Sequence, residues 1–367
     1  MKAVVLLFLI LCVQNGFAQD CNCLSSFNAT VKQVTENYAG FSDKVTAKNR
    51  KAFETFTRNL ASRAEKTTDP DSCYVYLKTW TSYFKDRHLR VQLDWTYRKA
   101  YPKKAAELNR LVPKTAVRDA PAKDELAKES GLTILSPKTL LLNVPSFEWS
   151  EKKILDSLMQ AHTKDLQQTE NWIIDLRGNA GGTDFTFSGI MPYLYDRPMV
   201  DYPGEYLASP GNIKLYTELL KDEDTAEAQK TFIKQLLEQM NRNPGHFVNP
   251  YGQDKINIRL DSVYEYPKKI AILIDRGSES SAESFLLLAR QSKKVKFYGE
   301  NSGGVLDYAN SQFFDIPCKH FNLVIATSRS KRLPRYPIDN IGIQPDVRIP
   351  NETANKIGLI QNLLEKR

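Results

Sequence analysis

From about residue 134 onward, short apolar strands alternate with helices, and this order predicts an α/β protein with a largely parallel sheet. Two of those strands end in distinctive turns. Ile173-Ile-Asp-Leu-Arg-Gly-Asn-Ala-Gly-Gly182 runs into a glycine-rich loop, and Ala271-Ile-Leu-Ile-Asp-Arg-Gly-Ser-Glu-Ser-Ser-Ala-Glu283 runs into a cluster of serines. Ahead of both, residues 24–85 carry a helical period. The expected architecture is a small N-terminal helical bundle followed by an α/β sandwich. A chain of 367 residues is long enough for one large domain and a small one.

Taken in order, residues 1–18 read as a secretory leader. Lys2 is the charged start, Val4 to Val13 the apolar run, and Gly16-Phe17-Ala18 the small-residue cleavage site, so the mature chain is expected to begin near Gln19. The apolar run is too short to span a bilayer, and no later run is longer. Residues 19–86 form the helical domain. Phe27, Val31, Val34 and Tyr38 repeat at helical spacing, and Phe53, Phe56, Leu60 and Tyr74 to Phe84 continue after breaks near Thr46 and Pro70. Residues 87–133 hold an alternating strand, His88 to Trp95, and a connector with one helix. The core, 134–367, opens with the buried strand Thr139 to Val144. Then come a helix from Lys152 to Leu166, a strand from Trp172 to Leu176 and a helix from Phe185 to Tyr195. After an insertion at about 197–260, strand 269–275, helix 281–291 and strands 295–298 and 321–327 follow. The insertion contains one charged helix, about Ile213 to Met240, and reads equally as a lid or specificity wall of an enzyme cleft or as a surface hairpin.

Of five cysteines, Cys12 lies in the leader. Cys21, Cys23, Cys73 and Cys318 remain, an even number that permits disulfides in an exported protein with three possible pairings. Cys21 or Cys23 with Cys73 would staple the N-terminal region. With no second close cysteine pair and four histidines in all, a metal site is not expected. The net charge of +8 is spread along the chain without basic runs interleaved with aromatics, which argues against nucleic acid. Asn28-Ala-Thr and Asn351-Glu-Thr fit the glycosylation pattern, which matters only in a eukaryotic secretory route.

A serine hydroxyl becomes a nucleophile only with a base in reach, an orienting partner for that base, and N–H donors aimed at the developing oxyanion. Ser278, Ser280 and Ser281 stand where a strand turns into a helix, near the positive end of its dipole. The same serines could simply cap the helix, with Glu283 as a capping-box partner. Among the histidines, His162, His246 and His320 have no evident partner, whereas His88 opens a strand at the end of the helical region. Asp339 is the candidate orienting carboxylate, and Asp346 reads instead as part of a turn into a final strand. The backbone N–H groups of Ser281 and of Gly181 or Gly182 are the candidate oxyanion donors. The glycine loop lacks the spacing of a phosphate-binding motif.

These blocks resemble a known family. Asp175-Leu-Arg-Gly-Asn-Ala-Gly-Gly182, Asp275-Arg-Gly-Ser-Glu-Ser-Ser-Ala-Glu283, Tyr298-Gly-Glu-Asn-Ser-Gly-Gly304 and Gly342-Ile-Gln-Pro-Asp346 are similar, in content and in order, to the tail-specific, or C-terminal processing, serine proteases. The resemblance spans about residues 136–350. It implies a ClpP/crotonase-like core, with Ser280 as nucleophile and no cofactor. One branch of the family uses a lysine base, and the matching position here is Val305. The other, typified by the tricorn core protease, takes a histidine from an Asp-x-His segment and a late acidic residue. Asp86-Arg-His88 and Asp339 resemble those, which implies a Ser280–His88–Asp339 triad. Three features depart from the pattern: Arg87 stands where a small residue is usual, the residue before the nucleophile is the charged Glu279, and the acid is Asp rather than Glu. The stretch between Asp94 and Ile134 is too short for the peptide-binding PDZ module many members carry. The function implied is that of a bacterial exported serine endopeptidase acting on protein or peptide substrates, in the periplasm or outside the cell. The alternatives are an inactive peptide- or lipid-binding protein on the same fold, as in the interphotoreceptor retinoid-binding proteins, and an esterase or amidase of small substrates.

Overall fold

The structure is a computed structural model that describes residues 21–111 and 126–366. The expected leader and residues 112–125 of the connector lie outside the described residues.

The central sheet has six strands in the order Val347–Arg348, Val295–Gly299, Lys269–Ile274, Asn171–Asp175, Thr139–Asn143, Gly131–Ser136. All neighbours are parallel except the hairpin 131–143. Asn171–Asp175 is buried at every position and Lys269–Ile274 at all but the first, as parallel strands covered on both faces must be. Helices Trp149–Ala161 and Ser281–Ala289 contribute Leu155, Phe285 and Leu286 to one face, around Trp172, Ile174, Ile272 and Ile274. The other face is covered by helix Lys356–Glu365 through Ile360 and Leu364. Each such fully buried aliphatic or aromatic side chain is worth about 1.5–3 kcal/mol in transfer terms. Because Asn171–Asp175 and Lys269–Ile274 are adjacent and parallel, their carboxyl ends lie side by side. Two loops a hundred residues apart in sequence therefore meet at one edge.

A second, antiparallel sheet centres on Phe321–Ser330. It pairs with Arg90–Leu93, Tyr308–Phe314 and Gly204–Leu207, and the last of these pairs with Phe247–Val248. Helices Cys23–Asn37, Arg50–Glu65 and Pro70–Ser82 pack on this sheet rather than standing apart. Phe27, Tyr38, Trp80 and Phe84 share one core with Val91, Tyr308, Leu323 and Ile325. Disulfides join Cys23 to Cys73 and Cys21 to Cys318. The first links two helices of the bundle. The second ties the start of the described chain to the turn before Phe321.

The structure differs from the sequence reading in several elements. The expected helix over Phe185–Tyr195 is a run of turns followed by one helical turn, Met191–Leu194. Pro192 explains this: without an N–H it can open a helix but cannot continue one. The helix expected from Lys152 to Leu166 is two, Trp149–Ala161 and Thr163–Gln168, broken where the Thr163 hydroxyl donates to the carbonyls of Met159 and Gln160. The single charged helix of the insertion is also two, Pro210–Lys221 and Glu227–Arg242. Asp222 accepts from the N–H of Asp224 and Thr225 donates to the carbonyl of Leu219, which turns the chain between them. Among its described residues the connector carries two helices, Trp95–Ala100 and Pro102–Arg110. Strands Gly131–Ser136 and Tyr308–Phe314 have no counterpart in the expected order.

Candidate active site

In open parallel sheets, sites form beyond the carboxyl ends of the strands. Here the two adjacent loops interlock. Asp275 accepts from the N–H groups of Gly178 and Gly277, at 2.9 and 2.8 Å, and Glu279 N–H donates to the Asn179 carbonyl at 2.9 Å. Ser278 is fully buried; its hydroxyl donates to the Leu176 carbonyl at 2.8 Å and accepts from Asp275 N–H at 3.2 Å. This serine is a structural brace. Ser281 is also buried, beside the Asp184 carboxylate. Ser280 differs from both: it faces a cavity of about 330 Å³.

Ser280 has φ +56° and ψ −120°, a conformation that costs a non-glycine residue on the order of 1–3 kcal/mol. The buried Glu283 carboxylate holds the turn in place. It accepts from Ser280 N–H at 3.3 Å, from the Ser302 hydroxyl at 2.6 Å, and from Gly304 and Val305 N–H at 2.7 Å each. Burial pushes this carboxyl upward against the pull of those donors. Ser281 N–H, at the first helical position, has no intrahelical carbonyl to reach.

The glycine loop packs directly on this turn. A Cβ on Gly181 would lie 2.7 Å from Ser280 Cβ, and Gly181 has φ +89°. Its N–H donates to Asn179 Oδ1 at 2.9 Å, so of the two glycines named from the sequence it is already committed. Phe147 bonds the Gly181 carbonyl and Thr183 N–H, so the peptide groups of Gly182, between them, turn the other way.

His88 lines the same cavity, with Arg87, Ala180, Glu279 and Val305. Its N–H donates to Asp86 Oδ1 at 2.8 Å. Its Nδ1 lies 2.5 Å from the Tyr308 carbonyl, which can only accept. Nδ1 therefore carries the hydrogen, and the neutral ring presents an Nε2 lone pair. Burial pushes the imidazole below 6.5 despite the nearby Asp86 carboxylate. Among the hydrogen bonds of the described residues none joins Ser280 to His88, a looseness common in sites without substrate. Of the other histidines, His162 bonds Asp165 and His320 packs on Tyr97 and Phe321. Val305, at the position of the alternative lysine base, is a buried wall of the cavity. Lys78 also lines the cavity, and burial lowers its ammonium, but its Nζ is bonded to the Tyr74 hydroxyl at 3.1 Å.

At Nδ1 of His88, where the sequence reading put Asp339, the structure puts the Tyr308 main-chain carbonyl. Asp339 Oδ1 accepts from Leu306 and Asp307 N–H, at 3.0 and 2.8 Å. Its Oδ2 is buried without a hydrogen-bond partner. Sequence spacing could not show this, because the Tyr308 carbonyl belongs to a strand the periodicity did not reveal. Burial, and then the charges of Asp86 and Asp307, push the Asp339 carboxyl up to about 8. The folded state keeps this proton where an unfolded aspartate, near 3.8, has lost it. The resulting stability is complete below about pH 3.8 and is lost as pH rises through about 8. Asp339→Asn is therefore expected to unfold at higher urea than the parent at about pH 9, by on the order of a few kcal/mol, and at nearly the same urea at about pH 4. A gap that does not change between these pH values would refute the assignment.

Among the described residues, no group of three or more His, Cys, Asp or Glu side chains could hold a metal ion, and no helix is long and apolar enough to cross a membrane.

The family model of peptidase family S41 matches residues 138–349, which contain both loops and the Asp339 segment. The chain belongs to peptidase family S41. It is a serine-type peptidase, a hydrolase acting on peptide substrates. Solved structures agree on the fold. Mature CPAF complexed with lactacystin is 12% identical with a TM-score of 0.63, covering 94% of this chain and 98% of that one. A candidate peptidase from Parabacteroides merdae is 16% identical with a TM-score of 0.55, covering 94% and 97%. A lipoprotein from Streptococcus agalactiae is 13% identical with a TM-score of 0.52, covering 94% and 96%. No curated protein matches the chain in sequence.

Proposed function

We propose that this S41 peptidase is an exported endopeptidase that cleaves peptide bonds through an acyl-enzyme on Ser280, with His88 as general base. The observation that carries the proposal is that Ser280 and His88 line one cavity, with His88 Nδ1 held by the Tyr308 carbonyl. Ser280 Oγ attacks the scissile carbonyl carbon as its proton passes to His88 Nε2. Ser281 N–H and Gly182 N–H are the favoured donors to the oxyanion; Gly181, named with them from the sequence, would first have to give up Asn179. Collapse breaks the C–N bond, with His88 returning the proton to the amine, and water then releases the acyl group by the same route. Export is supported by the two disulfides, which persist in oxidising compartments, together with the leader-like N-terminus. In this reading the unit that does the chemistry spans more than residues 134–367, since the base enters from the segment after the helical bundle. The insertion 197–260 adds strands to the second sheet, which favours a structural wall over a loose lid.

The test is fluorophosphonate labelling read by mass spectrometry. Ser280 is expected to label; Ser280→Ala abolishes the label and His88→Ala slows it by about 10³-fold or more. The rate should fall when His88 gains a proton, at a pH below the ordinary imidazole range because burial holds the ring neutral. Undiminished labelling of His88→Ala would overturn the base assignment, and hydrolysis by Ser280→Ala would overturn the nucleophile. An orienting carboxylate is worth about 10⁴ in kcat. Because a carbonyl already orients His88, Asp339→Asn is expected to cost far less.

A further inference from the structure

We infer that Arg87 and Glu279 form a clasp that positions the base against the nucleophile. The inference rests on the assignment of His88 and Ser280 above. Arg87 immediately precedes His88, and Glu279 immediately precedes Ser280. Their side chains meet across the cavity, Nη2 to Oε1 at 2.7 Å, with exposures of 18% and 8%. In the sequence each residue departs separately from the family pattern; in the structure the two departures face each other.

The ion pair matters because of where its ends are anchored. His88 leads into strand Arg90–Leu93 of the antiparallel sheet, whereas Ser280 sits at the carboxyl edge of the parallel one. Base and nucleophile thus ride on different sheets, and any slip between the sheets changes their separation. Asn340 Nδ2 to the Lys85 carbonyl, at 2.8 Å, ties the same segment further from the reacting atoms. Glu279 is well fixed to act as an anchor. Its N–H bonds the Asn179 carbonyl, and its side chain fills the space that the absent Cβ of Gly303 leaves, 2.4 Å from Glu279 Cγ. A shielded ion pair of this kind holds its geometry far better than one in open water. A misplacement of about 1 Å at the reacting atoms can cost about 10²-fold in rate, so a clasp one residue from each of the two groups acts where leverage is greatest.

The experiment is a double-mutant cycle with Arg87→Met, Glu279→Gln and both together, plus Arg87→Lys. Fluorophosphonate labelling rate, kcat and KM on a peptide substrate, and thermal midpoint are measured for each. Each single variant is expected to label about 10- to 100-fold more slowly with KM within about twofold. The double variant should be no worse than the poorer single one, and Arg87→Lys should recover part of the loss. The clasp is overturned if the single variants label like the parent or if their losses multiply in the double variant. It is equally overturned if the loss falls in KM alone or only the thermal midpoint moves. A parent protein that takes no label overturns the catalytic reading itself. A parent that labels while the cycle shows no coupling overturns the clasp alone.

Discussion

Glu283→Gln is expected to lower stability by about 3 kcal/mol and to reduce activity to near background. The carboxylate of Glu283 is fully buried and accepts from four donors belonging to two loops: Ser280 on one side, and Ser302, Gly304 and Val305 on the other. Glutamine keeps the shape but turns one acceptor oxygen into an NH₂ group facing N–H groups. At least two of these bonds are then lost, and each bond to a charged acceptor is worth about 1.5–3 kcal/mol. Relief of the buried charge offsets part of that loss. The activity falls because the same carboxylate holds the positive-φ turn that aims Ser280. Urea unfolding with labelling of the folded fraction checks both effects. A variant that is destabilised yet labels normally when folded would show that Glu283 is not what holds the turn.

Gly181→Ala is expected to be nearly inactive while losing about 1–2 kcal/mol or more of stability. With φ +89°, an L side chain here is strained at about that cost before any contact is counted. The new Cβ would then sit 2.7 Å from Ser280 Cβ and 2.8 Å from both the Glu279 carbonyl oxygen and Ser281 N. All three belong to the nucleophile turn, which cannot yield without moving the hydroxyl and its neighbouring N–H. A shift of about 1 Å there corresponds to about 10²-fold in rate. Labelling kinetics and a thermal melt measure the two parts separately. Near-parental labelling would mean that the loop and the turn move apart together without consequence, and would remove the glycine loop from the site.

Much of the core could be read from the chain before its structure. Strands such as Asn171–Asp175 and Lys269–Ile274 are visible because burial on both faces demands an unbroken apolar run. The glycines at 181 and 182 and the serines at 278–281 stand out because tight turns restrict residue type. Tyr308–Phe314 escaped notice because its burial alternates irregularly, with Asn310 at positive φ interrupting the period. The over-long helices failed at Pro192, Thr163 and Asp222, where a missing donor or a competing side-chain hydrogen bond overrode an apolar pattern.

Sequence alone determined the doubly buried strands of the parallel sheet, where the chain must turn tightly, and that a serine stands at one such turn, since each follows from local sterics and from the run of apolar residues. Only the tertiary structure decided what those segments meet. The order of the parallel strands brings residues 176–182 against 275–281. The antiparallel sheet carries His88 to the Tyr308 carbonyl rather than to a carboxylate, and joins Cys23 to Cys73 and Cys21 to Cys318 among three possible pairings. It also sets Arg87 against Glu279. These contacts join residues tens to hundreds of positions apart, and no local preference encodes them. They arise because the apolar faces of both sheets can be buried together in one arrangement, and the polar partners are fixed by where that burial leaves them.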